Sequence, residues 1–269
     1  MEVKQVRLIY FSPTGTTQKV LENIAKGMNC ENIEHVNLTL PEGARQKIQT
    51  FSDELVIIGA PVYGGRLPAD AINRFKQIKA NKTMAIPIVV YGNREFEDAL
   101  LELKNLAAEL GFNPVADGAF IGEHSFATKD VPIANGRPDS LDIQKAIDFG
   151  AKIKEKITAL KSCDAQMDLK IPGRFPYEGG VRSMVVSPVT REDICTVCGL
   201  CASVCPTEAI SINGKVVTKT ELCIRCSSCI KNCPTGARIW EDSAMKNIAS
   251  WLNENCSIRK EPMLFGIDE

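Results

Sequence analysis

The sequence predicts an α/β protein: a doubly wound, five-stranded parallel sheet followed by a smaller C-terminal α+β module built around cysteines. Three observations carry that expectation. Over residues 1–162, short continuous apolar runs alternate with amphipathic stretches of helical period, as strands buried on both faces do beneath crossover helices. From residue 163 the periodicity lapses into Pro- and Gly-rich chain. Beyond it, eight of the eleven cysteines fall between Cys195 and Cys233.

The apolar run at 3–11 is the first strand and the amphipathic stretch at 16–28 its helix. Residues 33–38 and 54–61 make the second and third strands, the third ("ELVIIGAP") apolar enough to be buried on both faces. A helix follows at 68–78, opened by Pro68, whose missing N–H costs nothing in a first turn. Residues 83–92 form the fourth strand, 96–111 a helix closed by Gly111, 114–123 the fifth strand and 140–160 the last helix. Residues 163–189 read as a linker packed against something, because Phe175, Tyr177 and Met184 would be wasted in a free tether. The cysteine module occupies 190–240, and residues 241–269 hold a helix at 241–256 and an irregular tail.

A formal net charge of −1 favours neither nucleic acid nor an anionic membrane, and the longest apolar runs are too short to span a bilayer. The opening residues carry scattered charges instead of a signal peptide's apolar stretch, which predicts a cytoplasmic location with reduced thiols. Cysteines in that setting read as metal ligands or reactive thiols before disulfides. Cys30, Cys163 and Cys256 stand apart from the others and receive no assignment.

The run C-x2-C-x2-C-x3-C-P begins at Cys195 and recurs 28 residues later at Cys223. It has the ligand spacing of [4Fe–4S] clusters in bacterial ferredoxins. Three closely spaced cysteines wrap three corners of a cubane, and the fourth, carried into a short helix before Pro, faces the neighbouring cluster. The repeat therefore assigns Cys195, Cys198, Cys201 and Cys233 to one cluster and Cys223, Cys226, Cys229 and Cys205 to the other. Gly199, Ala202, Ser227 and Ser228 are small enough to let backbone amides approach the sulfurs and tune their potential. Two zinc sites are the rival reading, although zinc is better served by paired C-x2-C units across a longer gap.

Between the first strand and its helix lies Ser12-Pro13-Thr14-Gly15-Thr16-Thr17. Hydroxyls together with helix N-terminal N–H groups make a phosphate site that needs no cation. The GK[ST] of a triphosphatase loop is absent, as are the three glycines of a dinucleotide loop; an ordinary capped turn is the plain alternative. Two later loops, Pro61-Val62-Tyr63-Gly64-Gly65 and Gly92-Asn93-Arg94-Glu95, follow the third and fourth strands and would open on the same edge of a doubly wound sheet. Tyr63 can cover one face of a flavin, and the glycines can turn a carbonyl to where a side chain would clash. Jointly the three loops predict FMN.

On these motifs, residues 1–160 resemble flavodoxins, whose phosphate loop S/T-x-T-G-x-T is met by Ser12 to Thr17, and residues 190–240 resemble two-cluster bacterial ferredoxins. The whole chain looks like the ferredoxin–flavodoxin fusion proteins of anaerobic bacteria and archaea, a likeness carried by "PVYGGRLP", "YGNREFEDAL" and "FIGEHSFATKDVPIANGRPD". The resemblance implies a flavodoxin-like fold, FMN plus two [4Fe–4S] clusters, and an electron-transfer role that joins single-electron clusters to a one- or two-electron flavin. It implies no substrate. Flavodoxins often sandwich the flavin between two aromatics. Here the third loop offers Asn93, Arg94 and Glu95, with Tyr91 expected in the strand and Phe96 turned into the helix, which leaves one face for a partner cluster or a small substrate. His124, after the fifth strand, and Arg94 become candidates to hold that substrate or move protons. Two other functions compete: an FMN-dependent reductase fed by the clusters, and a non-redox, zinc-stapled binding module. Six Lys/Arg against four Asp/Glu between Arg191 and Arg238 would suit an acidic redox partner protein.

Overall fold

In β1 (Gln5–Tyr10), Val6, Leu8 and Tyr10 enter one core while Ile9 and the following Phe11 enter another. Alternation of that kind, with both faces buried, demands a layer on each side of the sheet. The computed structural model describes residues 5–44, 50–51, 54–160, 169–180 and 184–267. Cys163 and part of the linker lie outside them.

The first domain runs α1 (Thr16–Gly27), β2 (Asn32–Asn37), β3 (Leu55–Pro61), α2 (Ala69–Phe75), β4 (Thr83–Tyr91), α3 (Ala99–Glu109), β5 (Asp117–Ile121) and α4 (Ser140–Ala159). The strands pair in the parallel order 2-1-3-4-5. α1 and α4 close one face, and α2 and α3 the other. The α1–α4 contact is glycine-made. A Cβ on Gly27 would stand 1.9 Å from the Ile147 carbonyl oxygen, and one on Gly150 1.9 Å from that of Ile24. α4 opens on a capping box in which the Asp139 carboxylate accepts from the N–H groups of Leu141 and Asp142, and the Asp142 carboxylate accepts from Asp139 N–H.

Two expectations change here. The predicted fifth strand begins later, at Asp117, because Phe112–Pro114 form a separate short strand beside β4. The tail is not irregular either.

The second module supplies β6 (Val189–Thr190), α5 (Leu200–Ser203), β7 (Ile210–Asn213), β8 (Lys215–Thr218), α6 (Ser228–Lys231), β9 (Arg238–Ile239), α7 (Ser243–Asn255) and β10 (Met263–Phe265). β7 pairs with β8 and β9 with β6, both antiparallel. β10 returns to the first domain as an antiparallel edge strand on β5, sending Leu264 to one core and Phe265 to the other.

Both connections are tied down. In the linker, Tyr177 Oη accepts from Asn105 Nδ2 at 2.8 Å beneath the Arg66 guanidinium, and the Asp98 carboxylate accepts from Arg174 and Glu178 N–H at 2.8 and 2.7 Å. Phe175, by contrast, is 76% exposed. In the tail, Asn93 Nδ2 donates to the carbonyls of Cys256 and Ile258 at 2.6 and 2.8 Å, and its Oδ1 accepts from Lys260 N–H at 3.2 Å. Arg137, buried against Asp142, donates to the Lys260 carbonyl at 2.8 Å. Among the described residues no helix is long and apolar enough to cross a membrane.

Candidate functional site

The carboxyl ends of β1, β3, β4 and β5 open on one edge, where a small cavity of about 50 Å³ is walled by Ser12, Thr14, Thr16, Thr17, Tyr63 and Gly92, among others. The first N–H groups of α1 have no intrahelical partner, and no acidic residue occupies its first turn, so an anion is favoured there. Ser12 fixes the loop: its N–H donates to Thr39 Oγ1 at 2.8 Å, and its Oγ accepts from Gln18 N–H at 3.1 Å. The Thr14 and Thr16 hydroxyls, 3.2 Å apart, stand at the mouth. Gly15 is left-handed (φ 77°) with open space around it, so its glycine serves the backbone turn rather than a close approach.

That cavity continues, through Val62, Tyr63, His124 and Ser125, into a larger one of about 280 Å³ between the two domains. Gly64 and Arg94 line it from the sheet side. Across from them stand Met184 of the linker, Ile224 and Arg225 between two cysteines, and Met245, Ile248, Trp251 and Leu252 of α7. This apolar wall is absent from the sequence-based site. The helical spacing of Met245, Ile248 and Leu252 announces a buried stripe, but not what it covers.

Three expected flavin-loop residues turn elsewhere. A Cβ on Gly65 would strike the Glu97 carboxylate at 1.6 Å, and the Gly65 carbonyl accepts from Asp98 N–H. Asn93 holds the tail. Glu95 pairs with Lys260 at 3.1 Å. Tyr91 and Phe96 pack on one another; Tyr91 also lines the small cavity, and neither ring lines the larger one. Arg94 lines the cavity while paired with Glu97 at 2.8 Å.

His124 Nδ1 accepts from Phe126 N–H at 3.1 Å, which assigns the remaining proton to Nε2. Burial, and then the charges of Lys231 and Arg94, lower its pKa to about 4, so the ring is a neutral donor. Gly92 makes room for it: a Cβ there would meet His124 Cδ2 at 2.2 Å.

The two cysteine runs coil alike. Val197 and Arg225 are left-handed (φ 54° and 58°), and so are Gly199 and Ser227 (80° and 59°), each pair one repeat apart. A β-branched residue such as Val197 holds that conformation at a cost of about 1–3 kcal/mol, and only where its surroundings over-determine it. Such turns aim successive N–H groups inward, as an anionic cluster requires. Cys205, Cys223, Cys226 and Cys229 wall a single cavity. Burial pushes the Cys226 and Cys229 thiols up, Cys229 to about 11, and their cysteine neighbours add to it. In the other set, burial and then Cys195 and Cys198 raise the Cys201 thiol, while Cys233 is lowered against burial by N–H groups of Arg238, Thr235 and Ala237. Among the described residues no three His, Cys, Asp or Glu side chains close on a single metal ion.

The second run faces the first domain. Ser228, fully buried, donates to the Pro13 carbonyl at 2.6 Å, and buried Ser227 accepts from Trp240 Nε1 at 3.0 Å. Arg74 donates to the Pro206 carbonyl at 2.5 Å, and Lys231 pairs with Glu123 at 2.5 Å. The corresponding first-run loop is open, with Cys198 exposed and Val197 and Leu200 each 39% exposed. Tyr63 lines both cavities and lies near the inner thiols: burial, then Cys226, Asp70 and Cys223, push its phenol well up.

Residues 7–125 match the family model of the flavodoxin domain, and residues 194–237 that of the 4Fe–4S dicluster domain. No curated protein matches the chain. Among solved structures, oxidised flavodoxin 2 of Bacillus cereus is 16% identical and aligns over 56% of this chain and 99% of its own, with a TM-score of 0.41. Fusobacterium nucleatum flavodoxin bound to flavin mononucleotide is 16% identical over 57% and 99%, at 0.39, and a flavodoxin from the domain Archaea 12% identical over 57% and 99%, at 0.37. The matched flavodoxin domain implies FMN, and the dicluster domain implies [4Fe–4S] iron–sulfur. The two matched segments together make the chain a flavodoxin–ferredoxin fusion, an electron-transfer protein in which a flavodoxin domain precedes a 4Fe–4S dicluster domain.

Proposed function

We propose that this chain relays electrons between two [4Fe–4S] clusters and an FMN held at its own sheet edge, in anaerobic metabolism. The inner cluster, on Cys205, Cys223, Cys226 and Cys229, is the flavin's neighbour. The outer one, on Cys195, Cys198, Cys201 and Cys233, meets a partner protein, an acidic one given the mildly basic module. The observation that carries this reading is a shared wall: Ile224 and Arg225, set between inner cysteines, line the same cavity as Tyr63, Arg94 and His124.

Bound FMN supplies one- and two-electron chemistry, and the clusters supply single-electron steps. The protein's part is to bind, orient and exclude water. The α1 N-terminus with the Thr14, Thr16 and Thr17 hydroxyls receives the phosphate, and Tyr63 covers one face of the ring. Met245, Ile248 and Trp251 keep water from the far side. Neutral His124 and ion-paired Arg94 orient the cofactor in this reading and shuttle no proton. Because donor and acceptor share one chain, transfer between them does not wait on diffusion.

Anaerobic purification followed by iron, sulfide and flavin analysis and stepwise reduction tests the proposal. About eight irons and about one FMN per chain, with flavin bleaching after the clusters, are expected. Zinc in place of iron, or a flavin that stays oxidised above reduced clusters, overturns it.

A further inference from the structure

We infer that Arg238 sets the order in which electrons occupy the two clusters, making the inner one the higher-potential site and hence the electron's resting place beside the flavin. This rests on the two-cluster reading above. Arg238 opens β9 and is 2% exposed, yet no carboxylate among the described residues lies within ion-pair distance of it. Its Nη1 donates to Thr190 Oγ1 at 2.8 Å and its Nη2 to Thr218 Oγ1 at 3.1 Å, and Nη2 also points at Cys229 Sγ, 3.8 Å away. Nε is buried with no hydrogen-bond partner among the described residues. Two hydroxyls solvate a guanidinium but do not neutralise it, and a buried charge without a counter-charge is strongly disfavoured. The negative group that balances Arg238 is therefore the sulfur ligand set it points into.

The internal repeat makes this one-sided. Thr190 and Thr218 stand one repeat apart, so both halves keep the anchor. The residue one repeat before Arg238 is Ile210, buried and apolar. Of these two equivalent positions only Arg238 carries a charge, and its guanidinium contacts the inner ligand Cys229 while reaching the outer Cys201 through space. Arg225 adds a second positive charge beside the inner ligand Cys223. A fixed positive charge stabilises an added electron most where it is nearest, which raises that site's potential. An electron entering at the outer site then moves downhill to the inner one. One electron is transferred and no bond is made or broken. The compensating charge is fixed, so no proton need accompany the electron.

The test is a potentiometric titration of the loaded protein followed by EPR, with iron and sulfide counted on the same samples. The inner signal is identified as the one that survives Cys198→Ala. In Arg238→Gln the inner midpoint should fall and the gap between the two sites narrow or invert, while Arg238→Lys, which keeps the charge, should retain most of the gap. Equal shifts in Gln and Lys, or unmoved midpoints with both clusters present, overturn the inference and leave the relay standing. Fewer than two clusters in the unmodified protein removes the reading beneath it. Should Arg238→Gln fail to assemble, the wild-type inner midpoint still decides: charge compensation by a fixed cation predicts no pH dependence between about pH 6 and 9, and a midpoint that tracks pH refutes it.

Discussion

Asn93→Gly isolates what holds the C-terminal tail on the flavodoxin domain. Asn93 is left-handed (φ 64°) and 2% exposed, so glycine removes the side chain without imposing backbone strain. Four hydrogen bonds disappear, three of them to the tail: those from Nδ2 to the Cys256 and Ile258 carbonyls and that from Lys260 N–H to Oδ1. The fourth, from Arg137 Nη1 to Oδ1 at 3.5 Å, stays within the first domain. At roughly 1 kcal/mol net apiece, the tail loses about 3 kcal/mol of attachment. A global unfolding free energy is poorly defined for two joined domains, so the assay is native-state hydrogen exchange. A loss of about 3 kcal/mol predicts roughly hundredfold faster exchange at Lys260 and through β10. The β4 core amides, such as that of Ile88, should be unmoved. Unchanged exchange in the tail would show that Arg137 and Arg259 suffice to hold it, and would refute the role given to Asn93.

Asp117 is fully buried, neither carboxylate oxygen has a hydrogen-bond partner among the described residues, and burial raises its pKa to about 8. A carboxyl raised on folding stabilises the fold below its ordinary value and loses that contribution as pH climbs toward 8. Stability should therefore fall by up to about 4 kcal/mol between pH 4 and 7, and thermal scans of Asp117→Asn should show a flatter pH slope. His124, held at about 4, gives the opposite sign: stability present above the ordinary histidine value is lost as pH falls from about 6.5 through 4. Proton NMR of its ring should give a midpoint near 4, and one near 6.5 would mean that the ring is not enclosed. Gly92→Ala drives a methyl into His124 and should weaken FMN binding by about tenfold or more (~1.4 kcal/mol) while far-UV circular dichroism is unchanged; unaltered flavin affinity would remove both residues from the site.

The parts of the fold legible beforehand are those with local or repeated signals. "ELVIIGAP" reads as a doubly buried strand because every residue of Leu55–Ala60 is buried, and β3 sits between β1 and β4. The repeat assigns Cys205 to Cys223, Cys226 and Cys229, and the structure lines one cavity with those four. The tail could not be read: β10 has three residues, too few for a period-two pattern, and Asn93 meets partners far along the chain. Gly65, Asn93 and Glu95 have the composition of a flavin loop, but loop spacing does not say which way a left-handed residue turns its neighbours. The wall built by α7 was hidden for the same reason as the tail. An amphipathic stripe predicts burial, and only tertiary structure names its partner.

The return of β10 to the edge of β5 also has a consequence for biosynthesis. Met263 pairs with Ala119 across more than half the chain, the longest-range strand pairing among the described residues. During synthesis β5 therefore emerges, and the parallel sheet assembles behind it, well before its last neighbour exists. For that interval its outer edge is an unpaired row of N–H and C=O groups, the kind of template on which strands of separate molecules join. The edge is covered only once Met263–Phe265 has emerged, after the last cysteine of the repeat, Cys233, has already been made.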